Sequence, residues 1–470
     1  MNFLMLIRNM LSCRPFPLSA VYFFFASIMV VICTFITPPG QTPDEQTHFA
    51  RGVMLSEGQI IGQLLSPAAS DSGGMLPSNF TSGYTGFDDL PFHPDRRASP
   101  IVMDSLRNVH WNKERTFIGF CTTVIYAPFT YIPSAATIWV ARHTRMTILQ
   151  TSYAVRLVNG FLTVCICSIA IALARRGALF LAVIASMPMT MALAASCSQD
   201  GILISLAILA SSILTRFNRL TEISFQNWIL LSFLFAVLAV SKPPLLMCAL
   251  IPAILMLDKK KWLALLPFAL GLVFVGIWSW IGIKPVKIQF LPDKGVSDSG
   301  QIHWVLTHLT MIPTLAVNTL KQNGYNYVRE WVGVLGWLDA PLPHAFYNLA
   351  LATLLLSVII SASSLLSKEV IPQSKLISAV TVLSILATAG AIFLSLYIIW
   401  TKVGNLSVDG VQGRYFLPIV PFFALLFPQM KEEGQIIPFV GLHQVAVVAI
   451  SVYWIIDALT IVSVLSMRYW

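Results

Sequence analysis

The stretch FIGFCTTVIYAPFTYIPSAATIWV, residues 117–140, decides how this chain is folded. It is apolar enough to enter a bilayer, yet Pro128 and Pro133 interrupt it and Arg142, His143 and Arg145 follow it. If it crosses a membrane, every later segment changes side. The rest of the chain makes the membrane setting plain. Hydrophobic residues make up 56% of the 470 and charged residues 11%, against about 25% charged in a soluble domain. Long apolar runs recur from residue 17 to residue 466, the pattern of an all-α polytopic membrane protein.

Working outward, a first helix is expected over 18–37 and later ones over 152–174, 178–197, 201–215, 226–241, 244–257, 262–283, 346–366, 376–399, 415–429 and 436–464. That gives about eleven spans, within a range of about ten to thirteen. Basic residues in short loops settle the parity. These are Arg175 with Arg176, Arg216 with Arg219, Lys259-Lys260-Lys261, Lys368 with Lys375, and Lys431. All of them fall on the cytoplasmic side if 117–140 does not span, and all fall outside if it does. The stretch therefore reads as one or two helices lying in the outer interface, with Tyr126, Tyr131 and Trp139 at headgroup level. The chain then forms one transmembrane domain over 1–470, with a first external loop over 38–150 that carries the interfacial helices. A second long external loop covers 284–345, and no separate soluble domain is expected.

Other features fit this frame. Arg8 and Arg14 precede the first apolar run as in a signal peptide, but Thr37-Pro38-Pro39-Gly40 offers no small-residue cleavage site. The run reads as a retained helix. The net charge of +9 belongs largely to loops beside the membrane, so nucleic-acid binding is not implied. Of the seven cysteines, Cys33, Cys165, Cys167, Cys197 and Cys248 lie in apolar runs and read as small buried residues, with no disulfide framework.

With the parity fixed, polar residues at helix ends collect on the external face. Pro43-Asp44-Glu45-Gln46-Thr47-His48 packs two carboxylates and a histidine just after the first helix. Asp44 reads as a general base, with Glu45 and His48 tuning or sharing its proton. The plainer reading is a helix start whose acidic residues complement the dipole. Asp200 begins the fourth span, either as ordinary first-turn chemistry or as a second carboxylate facing Asp44. Together Asp44 and Asp200 are the candidate ligands for a divalent cation, magnesium or manganese. Lys242, before Pro243 and Pro244, either snorkels or binds a lipid phosphate. Arg414 follows Gly404, Gly410 and Gly413, and a cation at a helix start suits a phosphate. Beside it, Tyr415 is an interfacial or substrate contact. Trp337 and Asp339 suit a sugar, through ring stacking and hydroxyl binding, or else form part of an aromatic belt. No Walker-type, HExxH, paired CxxC or GxSxG motif occurs, and no repeat with matching broken helices argues for a transporter. An external face also has no soluble nucleotide-sugar or ATP to use.

Pro38-Pro39-x-x-x-Pro43-Asp44-Glu45-x-x-His48-Phe49-Ala50, Lys242-Pro243-Pro244, Gly336-Trp337-Leu338-Asp339 and Gly413-Arg414-Tyr415-Phe416-Leu417-Pro418 together resemble a poorly characterised bacterial family of polytopic membrane proteins. That family is similar in turn to the GT-C glycosyltransferases, among them protein O-mannosyltransferases, aminoarabinose transferases and oligosaccharyltransferase catalytic subunits. The resemblance implies a polyprenyl-phosphate (undecaprenyl-phosphate-type) sugar donor and inverting transfer on the periplasmic face of the bacterial inner membrane. Asp44 matches the acidic first-loop residue of such enzymes, and Asp200 matches a second acidic residue in the second external loop. The superfamily's soluble C-terminal domain is not expected here, which favours an envelope glycan or lipid-linked acceptor, as in O-antigen or cell-wall polysaccharide modification. Three other readings stay open: a transporter or flippase of lipid-linked sugars, an accessory or structural subunit of an envelope-polysaccharide complex with no turnover alone, and a glycan polymerase or ligase using a diphosphate-linked donor.

Overall fold

The computed structural model describes residues 17–66, 70–217, 224–255, 262–362, 370–371, 375–430 and 440–470. Arg8, Arg14, Arg219, Lys259, Lys260, Lys261, Lys368 and Lys431 lie outside them. Helix α1 (Leu18–Ile36) is apolar along its whole length and ends at Thr37 before the two prolines. The chain then turns through Gly40, at φ 74°, into α2 (Glu45–Ser56).

Residues 117–140 do not form one continuous helix. They divide into the end of a strand, two short turns and one helix. Strands β1 (Gln63–Leu64), β2 (Ser72–Pro77) and β3 (Arg115–Gly119) pair antiparallel in the order β1-β2-β3. The turns Cys121–Val124 and Phe129–Tyr131 follow, and then α3 (Ile132–His143). At 12 residues, α3 is about 18 Å long, well short of a hydrocarbon core of about 30 Å. The sheet was not expected from the sequence: its strands are short and glycine-containing, with no clear alternation to read. Tyr131 is also fully buried, where headgroup exposure was expected, while Trp139 is exposed.

Helix α4 (Ile148–Leu173) starts with a capping box, in which Thr147 and Gln150 satisfy each other's backbone N–H groups. It packs between α1 and a later helix, α7. The expected 178–197 helix is broken into α5 (Ala178–Ala185) and α6 (Pro188–Ala194), because Met187 is extended and Pro188 starts a new helix. Then come α7 (Asp200–Thr215) and α8 (Phe225–Ser241). Pro243–Leu250 is a 3-10 helix leading into a short helix, Ile251–Leu255, in place of one continuous span over 244–257. After α9 (Leu266–Trp278) come α10 (Asp298–Thr307) and the amphipathic α11 (Ile312–Gly333). The last long helices are α12 (His344–Ala362), α13 (Lys375–Ile399) and α14 (Val440–Tyr469). The expected 415–429 helix is instead two 3-10 segments, Gly413–Phe416 and Val420–Leu426.

Among the described residues, six helices are long and apolar enough to cross a membrane, with four shorter apolar helices beside them. Large side chains such as Phe24, Phe35, Leu383 and Leu459 are exposed on these helices, as expected where lipid is the solvent. The chain is a mostly helical, multi-pass membrane protein. Cys33, Cys167, Cys197 and Cys248 are buried as expected, but Cys165 is exposed on α4.

The helices have two distinct ends. At one, the Arg176 guanidinium donates to the carbonyls of Thr215, Phe217, Leu425 and Phe427, and Arg216 donates to Leu173. At the other, α1 and α14 finish together, with Trp470 Nε1 donating to the Ile36 carbonyl at 2.8 Å. Asp44, Ser196 to Asp200, Lys242 and Arg414 are all loop or helix-end residues at this second end.

Candidate functional site

The site is assembled from four remote parts of the chain. Asp44 is the N-cap of α2 and takes a left-handed conformation, φ 59°, which Asp tolerates better than most residues. Its Oδ2 accepts from Arg414 Nη2 at 2.7 Å. Asp200, the first residue of α7, accepts from Lys242 Nζ at 2.7 Å, and Arg414 Nη1 lies 3.6 Å from its other oxygen. Lys242 sits at the C-terminal end of α8. Two carboxylates and two cations thus alternate as Asp44–Arg414–Asp200–Lys242. Tyr415 lies under both cations, 5.3 Å from each.

Burial separates the four. The Arg414 and Asp200 side chains are 2% and 7% exposed, and that of Asp44 is 38% exposed. Asp44 is therefore the member of the group that solvent or a substrate meets. Arg414 is fixed from behind. Its Nε donates to Gln412 at 2.6 Å, and Glu330 on α11 accepts from the Gly413 N–H at 2.6 Å. Position 413 must be glycine, since a Cβ would lie 2.0 Å from the Tyr327 carbonyl oxygen. Arg414 stands on a 3-10 turn of four residues, so the expected helix-terminus contribution to anion binding is not built here. The cations gathered at this point are the guanidinium and its neighbour Lys242.

His48 lies one turn along α2 and is buried. It stacks on Tyr126 (6.0 Å, 3°) and Tyr131 (5.8 Å, 29°), and its Nδ1 is 2.5 Å from the Tyr131 hydroxyl. Burial lowers its pKa to about 4, with Asp200 and Asp44 opposing that shift and Arg414 and Lys242 adding to it. The imidazole is therefore neutral at pH 7 and faces the four-charge group.

Glu45 points elsewhere. Its carboxylate is fully buried and accepts from Arg156 Nε (2.7 Å) and Nη2 (2.6 Å), and from the Cys197 N–H (3.1 Å). Arg156 spends its other donors on the carbonyls of Thr34, Thr37 and Pro38. This bidentate pair ties α4 to the end of α1 and the start of α2, an architectural position. Sequence reasoning passed over Arg156, although a lone arginine within an apolar span demands a partner. Asp339 belongs to another cluster as well. Its Oδ2 accepts from Arg468 Nη2 (2.7 Å) and the Phe92 N–H (3.0 Å), and its Oδ1 accepts from the Trp337 N–H (3.1 Å). Trp337 Nε1 donates to the Gly40 carbonyl at 2.7 Å, so this cluster braces the turn that leads into Asp44.

The fit of a divalent cation to Asp44 and Asp200 is governed by charge. Each carboxylate already holds a cation, and a metal ion would have to displace Arg414. Among the described residues no group of three or more His, Cys, Asp or Glu side chains converges.

No curated protein matches the chain. Residues 25–423 match the family described as "Predicted membrane protein (DUF2142)", a match that includes Asp44, Asp200, Lys242, Asp339 and Arg414. Because the match covers 399 of the 470 residues and the whole charged site, the chain belongs to the DUF2142 family of predicted membrane proteins.

Proposed function

We propose that this protein is a GT-C-like inverting glycosyltransferase. It moves a sugar from a polyprenyl-phosphate donor to an envelope glycan or lipid-linked acceptor at the periplasmic face of the bacterial inner membrane. The observation that carries the proposal is the alternating group Asp44–Arg414–Asp200–Lys242, with only Asp44 substantially open.

The chemistry follows from that arrangement. A donor phosphate competes with Asp44 for Arg414, because the guanidinium's arms are all in use. Binding the donor releases the Asp44 carboxylate to take the proton of an acceptor hydroxyl. The acceptor oxygen bonds to the anomeric carbon as the bond from that carbon to the phosphate oxygen breaks, which inverts the centre. The departing polyprenyl phosphate carries the extra negative charge, and Arg414 and Lys242 stabilise it. Such a leaving group needs no protonation, so the second carboxylate of a glycosidase is unnecessary. Asp200 holds Lys242 and Arg414 in place. Eleven crossings are part of this reading. The odd number is supported by α14 ending beside the far end of α1, and an outer-interface role for α3 by its exposed Ile132 and Val140.

The test is transfer of labelled sugar from a polyprenyl-phosphate donor by the purified protein. Asp44→Asn should lower turnover at least about a hundredfold while the protein stays folded. Near-normal turnover by a folded Asp44→Asn protein would remove Asp44 as the base. Movement of the donor across liposomes with no new glycosidic bond would mark a flippase, and transfer from a diphosphate-linked donor alone would mark a polymerase or ligase.

A further inference from the structure

A cavity of about 600 Å³ lies away from the four-charge group, lined by Ser56, Glu57, Trp139, Arg142 and His143. It forms where α2 and α3 both end. Glu57 accepts from Arg142 and, at 2.9 Å, from Arg115. The Arg142 guanidinium also sits 5.5 Å from the Trp111 ring. Trp139 is 54% exposed, and the His143 ring packs against it at 4.2 Å while its Nδ1 donates to the Trp139 carbonyl at 2.7 Å.

The mixture of groups points to a polyhydroxyl ligand. Glu57 and the Ser56 hydroxyl accept from hydroxyls, Arg142 donates to them, and the open indole offers a flat apolar face to the C–H side of a sugar ring. An anion is less well served, because Glu57 already occupies both arginines and two helix C-termini bring the negative ends of their dipoles to the cavity. An acyl chain would cut the Glu57–Arg142–Arg115 group off from water and set hydrocarbon against its charges.

Position adds the second half of the inference. Asp44 caps one end of α2 and Glu57 the other, across 12 helical residues or about 18 Å. A ligand that reaches both is extended. We propose that this cavity is a distal subsite for the acceptor, one that grips an oligosaccharide several sugars away from the hydroxyl presented to Asp44. The word acceptor rests on the transferase reading above; the sugar chemistry of the cavity does not.

The experiment is saturation-transfer NMR on the full chain in nanodiscs. The probe is the oligosaccharide mixture released by mild acid from the envelope polysaccharide of the cells that make the protein. Wild type and Asp44→Asn should both saturate sugar-ring protons. Trp139→Ala and His143→Ala should each bind about tenfold more weakly, with unchanged thermal unfolding because both side chains are exposed. No saturation transfer to wild type, or wild-type binding by Trp139→Ala, overturns the subsite. Displacement of the oligosaccharide by glycerol phosphate or by phosphatidylglycerol nanodiscs overturns it in favour of an anion site. The readout needs no turnover. A protein that binds the oligosaccharide through Trp139 but forms no glycosidic bond therefore refutes the transferase and leaves the sugar site standing.

Discussion

Glu45→Gln is the substitution that most sharply separates the two adjacent carboxylates. Glu45 and Arg156 are fully buried, and the pair is bidentate at 2.7 and 2.6 Å. Glutamine removes the charge and turns one acceptor oxygen into an N–H donor that faces the guanidinium. Arg156 keeps its bonds to three carbonyls, but no anion then balances it. Leaving one member of a buried pair uncompensated costs about 3–5 kcal/mol, and the lost acceptor for the Cys197 N–H adds about 1 kcal/mol. The assay is denaturant unfolding in mixed detergent micelles, followed by circular dichroism. A control replaces both partners, as Glu45→Leu with Arg156→Met, and should recover much of the loss because no charge is then stranded. A Glu45→Gln protein within about 1 kcal/mol of wild type would refute the architectural role.

Three further outcomes follow from the same site. Arg414→Lys keeps the charge but cannot reach Gln412, Asp44 and Asp200 together, so turnover should fall about a hundredfold in a donor-transfer assay; activity within a factor of about three would contradict the phosphate role. Folded His48 resists protonation down to about pH 4, whereas the unfolded chain protonates near 6.5. Stability should therefore rise with pH across that window, by about 3 kcal/mol in total, and His48→Gln should lose this dependence when unfolding is measured from pH 4 to 7. Gly413→Ala drives a methyl into the Tyr327 carbonyl and should destabilise by about 1–3 kcal/mol; unfolding and donor-transfer measurements at wild-type levels would show that the turn carrying Arg414 has room to spare.

The clustering of the four charges also explains why the acidic pair after α1 could be noticed but not divided from the sequence. Two neighbouring carboxylates look alike in a string. Asp44 is the left-handed N-cap and Glu45 the first residue of α2, so their side chains leave the backbone in different directions: Asp44 meets Arg414 while Glu45 turns inward to Arg156. Asp339 misleads in the same way. Its setting among tryptophans suggests a sugar site, but its partner Arg468 lies 129 residues away, beyond any local pattern.

Read along the chain, the residues specify the solvent and the punctuation. Apolar runs too long for a soluble core require a bilayer. Pro128 and Pro133 argue against one continuous helix over residues 117–140, because proline removes a backbone donor that hydrocarbon cannot replace. Helix-end charges in a greasy chain were conspicuous for the cost of placing them there, and that was enough to single out Asp44, Asp200, Lys242 and Arg414. Which charge neutralises which is a property of the folded chain alone. Ion pairing depends on distances of a few ångströms between segments as far apart as 370 residues, and no periodicity encodes it. The same holds for the small sheet of the first loop and the cavity where α2 and α3 end. Each arises from the packing of remote segments, not from any local preference.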